Sequence, residues 1–249
     1  MPHRFFAPDL THDAPTVVLP PGESLHLARV LRLREGDAVE VFDGRGALHA
    51  ARVERVAPGG SVLAVQGARA AAPEPPAPIV IVQALLKGDA MDAVVRDATV
   101  LGATAILPVV SARTNVPARA AVAAHERWQR VAVAAAKQCG RAVLPTIAAP
   151  CELADAVGTA LTNVPTRLWL AEPAVSGDHG GEVPSPPQAT ALAIGPEGGW
   201  TNEEVDAARA AGWRPWTMMP VTLRAEHVAL AALSVIRYAW DAALRRRMT

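Results

Sequence analysis

Net charge and cysteine are both scarce in this 249-residue chain, and each shortage narrows what it can be. Lys+Arg and Asp+Glu both number 24, so the formal net charge is zero. That argues against nucleic-acid binding by bulk charge and leaves room only for a local basic patch. Lysine occurs only at Lys87 and Lys137, and the remaining basic residues are arginine. Two cysteines, Cys139 and Cys151, exclude a disulfide framework, and no C-x-x-C pair offers zinc ligands. Reduced thiols and no metal are expected. The start, Met1 to Asp9, lacks the apolar core of a signal peptide. The most apolar late stretch, Val228 to Ile236, is far shorter than the roughly 20 residues that span a bilayer. No Ser-His-Asp order, metal cluster or close carboxylate pair stands out. What is present, 51% hydrophobic and 19% charged residues, suits a soluble, cytoplasmic globular protein of one large or two modest domains.

The composition shifts near residue 70, where Ala70-Ala71-Ala72-Pro73-Glu74-Pro75-Pro76-Ala77-Pro78 can continue neither a helix nor a central strand. Residues 71–78 read as a linker between domains at 1–70 and 79–249. Before it, strand-like runs lie at Thr16–Leu19, Ala38–Phe42, Leu48–Val56 and Ser61–Val65. Asp43-Gly44-Arg45-Gly46 supplies a hairpin turn between two of them. One helix is predicted from about Glu23 to Leu33, with Leu27, Val30 and Leu31 as its buried stripe. These features predict a small β-barrel. After the linker, apolar strands at Ile79–Ala84, Ala105–Val110, Arg167–Ala171 and Ala191–Gly195 alternate with helices, which predicts an α/β domain built on a parallel sheet. Met91, Val94, Val95 and Ala98 form one helical stripe that Gly102 is placed to stop. Further helices are predicted over about Val122–Gln138, from Thr201, and over about Ala225–Arg246. Pro173–Gln188 reads as a surface loop.

The sharpest motif is Ile194-Gly195-Pro196-Glu197-Gly198-Gly199-Trp200-Thr201-Asn202-Glu203-Glu204. A buried strand runs into a glycine-rich loop, and the next helix opens with a capping box, Thr201 at the N-cap and Glu204 at N3. Such glycines let backbone approach a ligand at the carboxyl edge of an open sheet. The spacing is neither that of a P-loop nor that of a dinucleotide fingerprint. A second strand–helix joint, Met218 to His227, puts Arg224 and Glu226 at the mouth of the last helix on the same edge. Taken alone, Glu226 reads as a first-turn partner of the helix dipole and Arg224 as a solvated charge. Glu172, just after its strand, is placed to line that edge too. In the first domain His26, Arg29 and Arg32 lie off the apolar stripe, either as a solvated face or as a phosphate-binding one. Cys139 reads as a structural thiol rather than a nucleophile.

Taken together, His26–Gly46, Gln83–Asp89, Leu101–Thr114, Ala134–Arg141, Ile194–Gly199 and Leu223–Glu226 resemble the bacterial ribosomal RNA small subunit methyltransferase E family over essentially the whole chain. The resemblance implies a PUA-like β-barrel followed by a SPOUT domain whose C-terminal segment threads a trefoil knot. It implies S-adenosylmethionine as cofactor, N3 of a uridine in 16S ribosomal RNA as methyl acceptor, and a homodimer without metal or membrane. By the same analogy, Leu170, Ala171, Glu172, Ile194, Gly195, Pro196, Glu197, Gly198, Gly199, Met218, Met219 and Leu223 hold the cofactor. Arg224 and Glu226 are catalytic, and Arg4, His26, Arg29, Arg32, Arg113 and Arg141 contact RNA. The group that takes the N3 proton stays open among Glu226, Glu197, a water and a backbone carbonyl. The chain departs from the family pattern at Val100, Met219, Val221 and His227, where glutamate, glycine, arginine and threonine are usual. Those departures keep two alternatives in view, a non-catalytic RNA-binding protein on this fold and a methyltransferase with another RNA target.

Overall fold

A computed structural model describes residues 2–11, 13–172 and 183–248. The chain forms two compact units, Met1–Glu74 with Val133–Leu144, and Pro75–Ala132 with Pro145–Thr249. The first unit therefore takes a return segment from the second half of the chain, which composition near residue 70 does not reveal. Most of the loop expected over Pro173–Gln188, residues 173–182, lies outside the described residues.

The first unit carries a five-stranded sheet in the order β1-β3-β4-β5-β2. Its strands are β1 (His3–Phe6), β2 (Thr16–Val18), β3 (Ala38–Phe42), β4 (Leu48–Arg55) and β5 (Val62–Ala68). Strand β1 pairs with β3 in parallel, and the other pairings are antiparallel. Register shifts in the β4–β5 ladder bend the sheet into a half-barrel, since a bulge adds local twist. Phe5, Leu27, Val41 and Leu63 are fully buried on its inner face. Sequence periodicity misses β1, because four residues with two charged or polar ones carry no alternation to read.

The helix predicted over about Glu23 to Leu33 is shorter and differently wound. Helix α1 (Pro21–Leu25) passes into a π turn at His26–Val30, and Leu31 N–H donates to the His26 carbonyl at 3.0 Å. This five-residue closure rotates the face that a 3.6-residue period assigns to the core. Leu27 stays buried, but Val30 is 65% exposed, contrary to expectation. Arg32 ends the segment at φ 55°, a left-handed position that glycine usually fills.

The second unit is a parallel sheet in the order β12-β10-β11-β6-β7-β8, with β9 also paired to β7. The strands are β6 (Ile79–Ala84), β7 (Ala105–Val110), β8 (Thr146–Ile147), β9 (Cys151–Glu152), β10 (Thr166–Leu170), β11 (Thr190–Ile194) and β12 (Arg214–Trp216). Helices α2 (Ala90–Val100), α3 (Ala118–Cys139), α4 (Leu153–Asp155), α5 (Asn202–Ala210) and α6 (Ala225–Met248) connect them. Every residue of β11 is buried, as a central strand covered on both faces requires. Pro108, which has no N–H to give, falls in the gap between the β8 and β9 pairings on β7. Strand β12 escapes a sequence reading because Pro215 interrupts it, and it is tolerated as an edge strand.

The predicted stripe Met91, Val94, Val95 and Ala98 is buried, and Gly102 ends α2 at φ 93°. A side chain there would also collide with Pro75, 2.5 Å from the built Cβ position. Among the described residues no helix is long and apolar enough to cross a membrane.

Candidate functional site

Parallel strands bring their carboxyl ends to one edge, and there β10, β11 and β12 open into a pocket of about 820 Å³. Its walls come from Leu170–Glu172, Ile194–Trp200, Met218, Met219 and Val221–Glu226, with Arg113 and Ala90 joining from the β7 and β6 exits. Every residue the sequence assigned to the cofactor lines this one space, as do Arg224 and Glu226. The strand exits are stitched to one another. Trp200 Nε1 donates to the Leu170 carbonyl at 3.3 Å, Ala171 N–H to Trp216 O at 3.1 Å, and the Thr217 hydroxyl to Ala171 O at 3.3 Å.

Glycine is required in the central loop for two separate reasons. A Cβ on Gly195 would press on the Trp200 ring at 3.2 Å, so the backbone lies flush with the indole. Gly199 turns at φ 68°, and a Cβ there would meet Glu172 Oε1 at 3.3 Å. The capping box forms as read: Thr201 Oγ1 accepts from Glu204 N–H at 3.2 Å, and Glu204 Oε2 accepts from Thr201 N–H at 2.8 Å. Its carboxylate does more than the motif announces, because Oε1 accepts from Ala112 N–H at 2.7 Å. Arg113 closes the same bridge by donating from Nη1 to the Gly198 carbonyl at 2.8 Å. Backbone and hydroxyl hydrogen bonds at this helix start hold the Glu203 carboxyl below its ordinary range.

Arg224 and Glu226 meet at 3.9 Å, with the arginine side chain 83% exposed and the glutamate 20%. A contact that long and wet contributes little to stability, so neither group is tied down by the fold. The donor set is mixed in the way a polar, partly aromatic ligand needs: apolar Leu170, Ile194 and Leu223, carboxylates at Glu172 and Glu197, and cations at Arg113 and Arg224. Such a set fits a nucleoside carrying an amino-acid chain, with glycine backbone against the flat group and carboxylates for hydroxyl and ammonium donors. Trp200, Val221 and the wall position of Arg113 were missed by motif reading, although Trp200 follows the glycines directly.

The residues assigned to RNA divide into two kinds. Arg29 and Arg32 are exposed on the first unit, beside the partly buried His26. Arg141 is not available there: its side chain is 4% exposed and bound to Glu74 at 2.6 Å. Arg4 is likewise withdrawn, pairing with Glu40 at 2.7 Å at 16% exposure. Both are engaged in ion pairs within the first unit. Arg113 belongs to the pocket wall. The Cys151 thiol is pushed up by burial and by Asp155 and Glu152, so it stays a neutral, unreactive thiol.

Comparison with known proteins agrees with this geometry. Residues 73–237 match the model of an RNA methyltransferase domain, and residues 19–65 that of an RNA methyltransferase PUA domain. The ribosomal RNA small subunit methyltransferase E of Synechocystis is 34% identical over 224 residues, covering 89% of this chain and 72% of that protein. The Bacillus subtilis protein of the same name is 28% identical over 91% of each chain. Among solved structures, the Neisseria gonorrhoeae ribosomal RNA small subunit methyltransferase E bound to S-adenosylmethionine superposes with TM-score 0.87 at 30% identity, covering 96% of this chain and 98% of that one. A Legionella pneumophila methyltransferase, also in complex with that cofactor, gives 0.87 at 28% identity with the same coverage. On the fold, the stitched glycine pocket and these matches together, the chain belongs to the ribosomal RNA small subunit methyltransferase E family.

Proposed function

We propose that this protein transfers a methyl group from S-adenosylmethionine to N3 of a uridine in 16S ribosomal RNA. The observation that carries the reading is the pocket itself, in which the glycine loop, both flanking strand exits and the Arg224–Glu226 pair face one space. When bound, S-adenosylmethionine supplies an already activated methyl group, so the protein's task is alignment and charge control. Ile194–Gly199 and Leu170–Glu172 hold the cofactor through backbone and through the Glu172 carboxylate, with Met218, Met219 and Leu223 closing the other side. Met219 is compatible with that role because it is not among the positive-φ residues, so the glycine usual there is not needed for conformation.

Uridine N3 lies on the pairing edge, so the base enters unpaired or flipped. Its proton must leave, and the negative charge that develops needs a cation. Arg224, exposed at the pocket mouth, meets that charge; Glu226 beside it takes the proton. On the first unit the exposed Arg29 and Arg32 guanidiniums, with His26, form the face that docks RNA phosphates. We place the protein in the cytoplasm with its substrate. It works as a homodimer, a reading supported by the exposed Leu230, Val235 and Tyr238 of α6, at 40–74% exposure.

The test is transfer of labelled methyl from S-adenosylmethionine to unmethylated small ribosomal subunits and to naked 16S RNA, with nucleosides identified by mass spectrometry. N3-methyluridine is expected. Arg224→Ala is expected to lower transfer by about 100-fold or more while calorimetric cofactor affinity holds. Equal loss of both refutes the role given to Arg224. Cofactor binding without transfer to either substrate points to a different RNA target, and no cofactor binding to a non-catalytic protein.

A further inference from the structure

We propose that Trp200 is a positioning residue for S-adenosylmethionine, fixing the gap between the two strand exits that hold the cofactor. The inference rests on the cofactor reading above and adds to it the side chain that sets the width of the pocket. The ladder between β10 and β11 runs as far as Trp169–Ala193. The pocket walls Leu170–Glu172 and Ile194–Gly199 lie beyond that last pair, so something other than strand pairing must hold them at a set distance. Trp200 does so. Its Nε1 donates to the Leu170 carbonyl at 3.3 Å, on one wall. On the other wall its ring lies against Gly195, where a built Cβ would stand 3.2 Å from Cε2 and 3.3 Å from Nε1. One edge of the indole therefore meets both walls, and a rigid ring with two side-chain torsions imposes a definite spacing.

A second indole in the same apolar cluster shows what a purely structural role looks like. Trp213 is 2% exposed, donates Nε1 to the Val157 carbonyl at 3.1 Å and stands apart from the pocket lining. Both rings pack in the cluster that contains Trp169, Ala193 and Val205. They differ in what they tie together. Trp213 anchors a segment remote from the ligand space, whereas Trp200 is partly buried, borders that space and joins two of its walls. Removing either donor forfeits one hydrogen bond, but only at Trp200 does the loss release the pocket width.

Trp200→Phe and Trp213→Phe make that comparison, each keeping an aromatic ring and removing the donor. Calorimetric S-adenosylmethionine affinity, KM for the cofactor, kcat and Tm are measured for both. Trp200→Phe is expected to raise Kd and KM for the cofactor about 5-fold, with kcat at saturating cofactor within about twofold of wild type. Trp213→Phe is expected to lower Tm at least as much while keeping wild-type affinity. Wild-type affinity in Trp200→Phe overturns the proposal, and so does an equal loss in the two variants. Gly195→Ala approaches the same contact from the other wall, because its Cβ pushes on the indole. Its loss of affinity is expected to shrink in a Trp200→Leu background, where that ring is gone. Losses that simply add put Gly195 against the cofactor itself and overturn the role given to the indole. If wild type binds the cofactor but methylates no ribosomal RNA, the proposed activity fails while the binding comparison still decides Trp200; if wild type does not bind it, both fail.

Discussion

Burial together with the Lys137 ammonium holds the His26 imidazole below its ordinary value of 6.5. Glu23 pulls the other way, and His3 adds a weaker push downward. Glu23 is itself occupied, because both its oxygens accept from Lys137, at 3.0 and 2.9 Å. The consequence has a definite sign. The unfolded chain takes up a proton at His26 more readily than the folded one, so stability is lost as pH falls through about 6.5 and levels off below the folded value. Thermal unfolding is expected to show a Tm decline between pH 7 and 5 that His26→Gln reduces. An unchanged slope in that variant would place the titration elsewhere. At neutral pH His26 is then uncharged, so Arg29 and Arg32 supply the charge of the proposed RNA face while the histidine offers only hydrogen bonds. Gly102 was legible as a stop from its place after a periodic stripe. Val30 was not, because a single π turn changes the face without changing the letters.

Among the elements, α5 joins sequence-level and tertiary information most directly. Its capping box is a local motif, and Thr201→Ala is expected to cost about 1 kcal/mol in global stability through the lost N-cap bond. Glu204 differs, since the carboxylate that closes the box also receives the Ala112 N–H from the β7 exit, 92 residues away. Glu204→Ala should therefore release that loop, with Arg113 and its bond to Gly198, and reduce S-adenosylmethionine affinity several-fold by calorimetry. Thr201→Ala should lower Tm with a smaller effect on affinity. If the two variants lower affinity alike, the bridge to Ala112 is not what orders the loop. The motif predicts the cap; nothing local predicts its second partner.

For the molecule as a whole, the first unit cannot be cut at the linker. Its second apolar cluster joins Phe42 and Leu48 to Ala136 and Ala142, and Leu144 packs against the same cluster. Glu23–Lys137 and Glu74–Arg141 add ion pairs to that return segment, and the Arg141 side chain is nearly sealed from water while Glu74 keeps partial exposure. Removing the return segment takes the Arg141 partner away from Glu74 and the Lys137 partner away from Glu23. A fragment of residues 1–74 is expected to lack a cooperative thermal transition by circular dichroism, whereas the intact chain shows one. A fragment that melts cooperatively would show that the return segment is dispensable.

The long strands and helices, the α2 stripe, the capping box and the glycine loop were legible in the sequence itself, because each follows from contacts within a few residues or from a repeating period, whereas the short β1, β8, β9 and β12 were not. The resemblance to a methylating family rested on the same short motifs. What tertiary structure decided is everything that depends on neighbours distant in the chain. It withdrew Arg4 and Arg141 into ion pairs, placed Trp200 and Arg113 in the pocket wall, and gave residues 133–144 to the first unit. An arginine reads the same in sequence whether it faces water or a buried carboxylate, and only packing, which closes over one and leaves the other exposed, tells them apart.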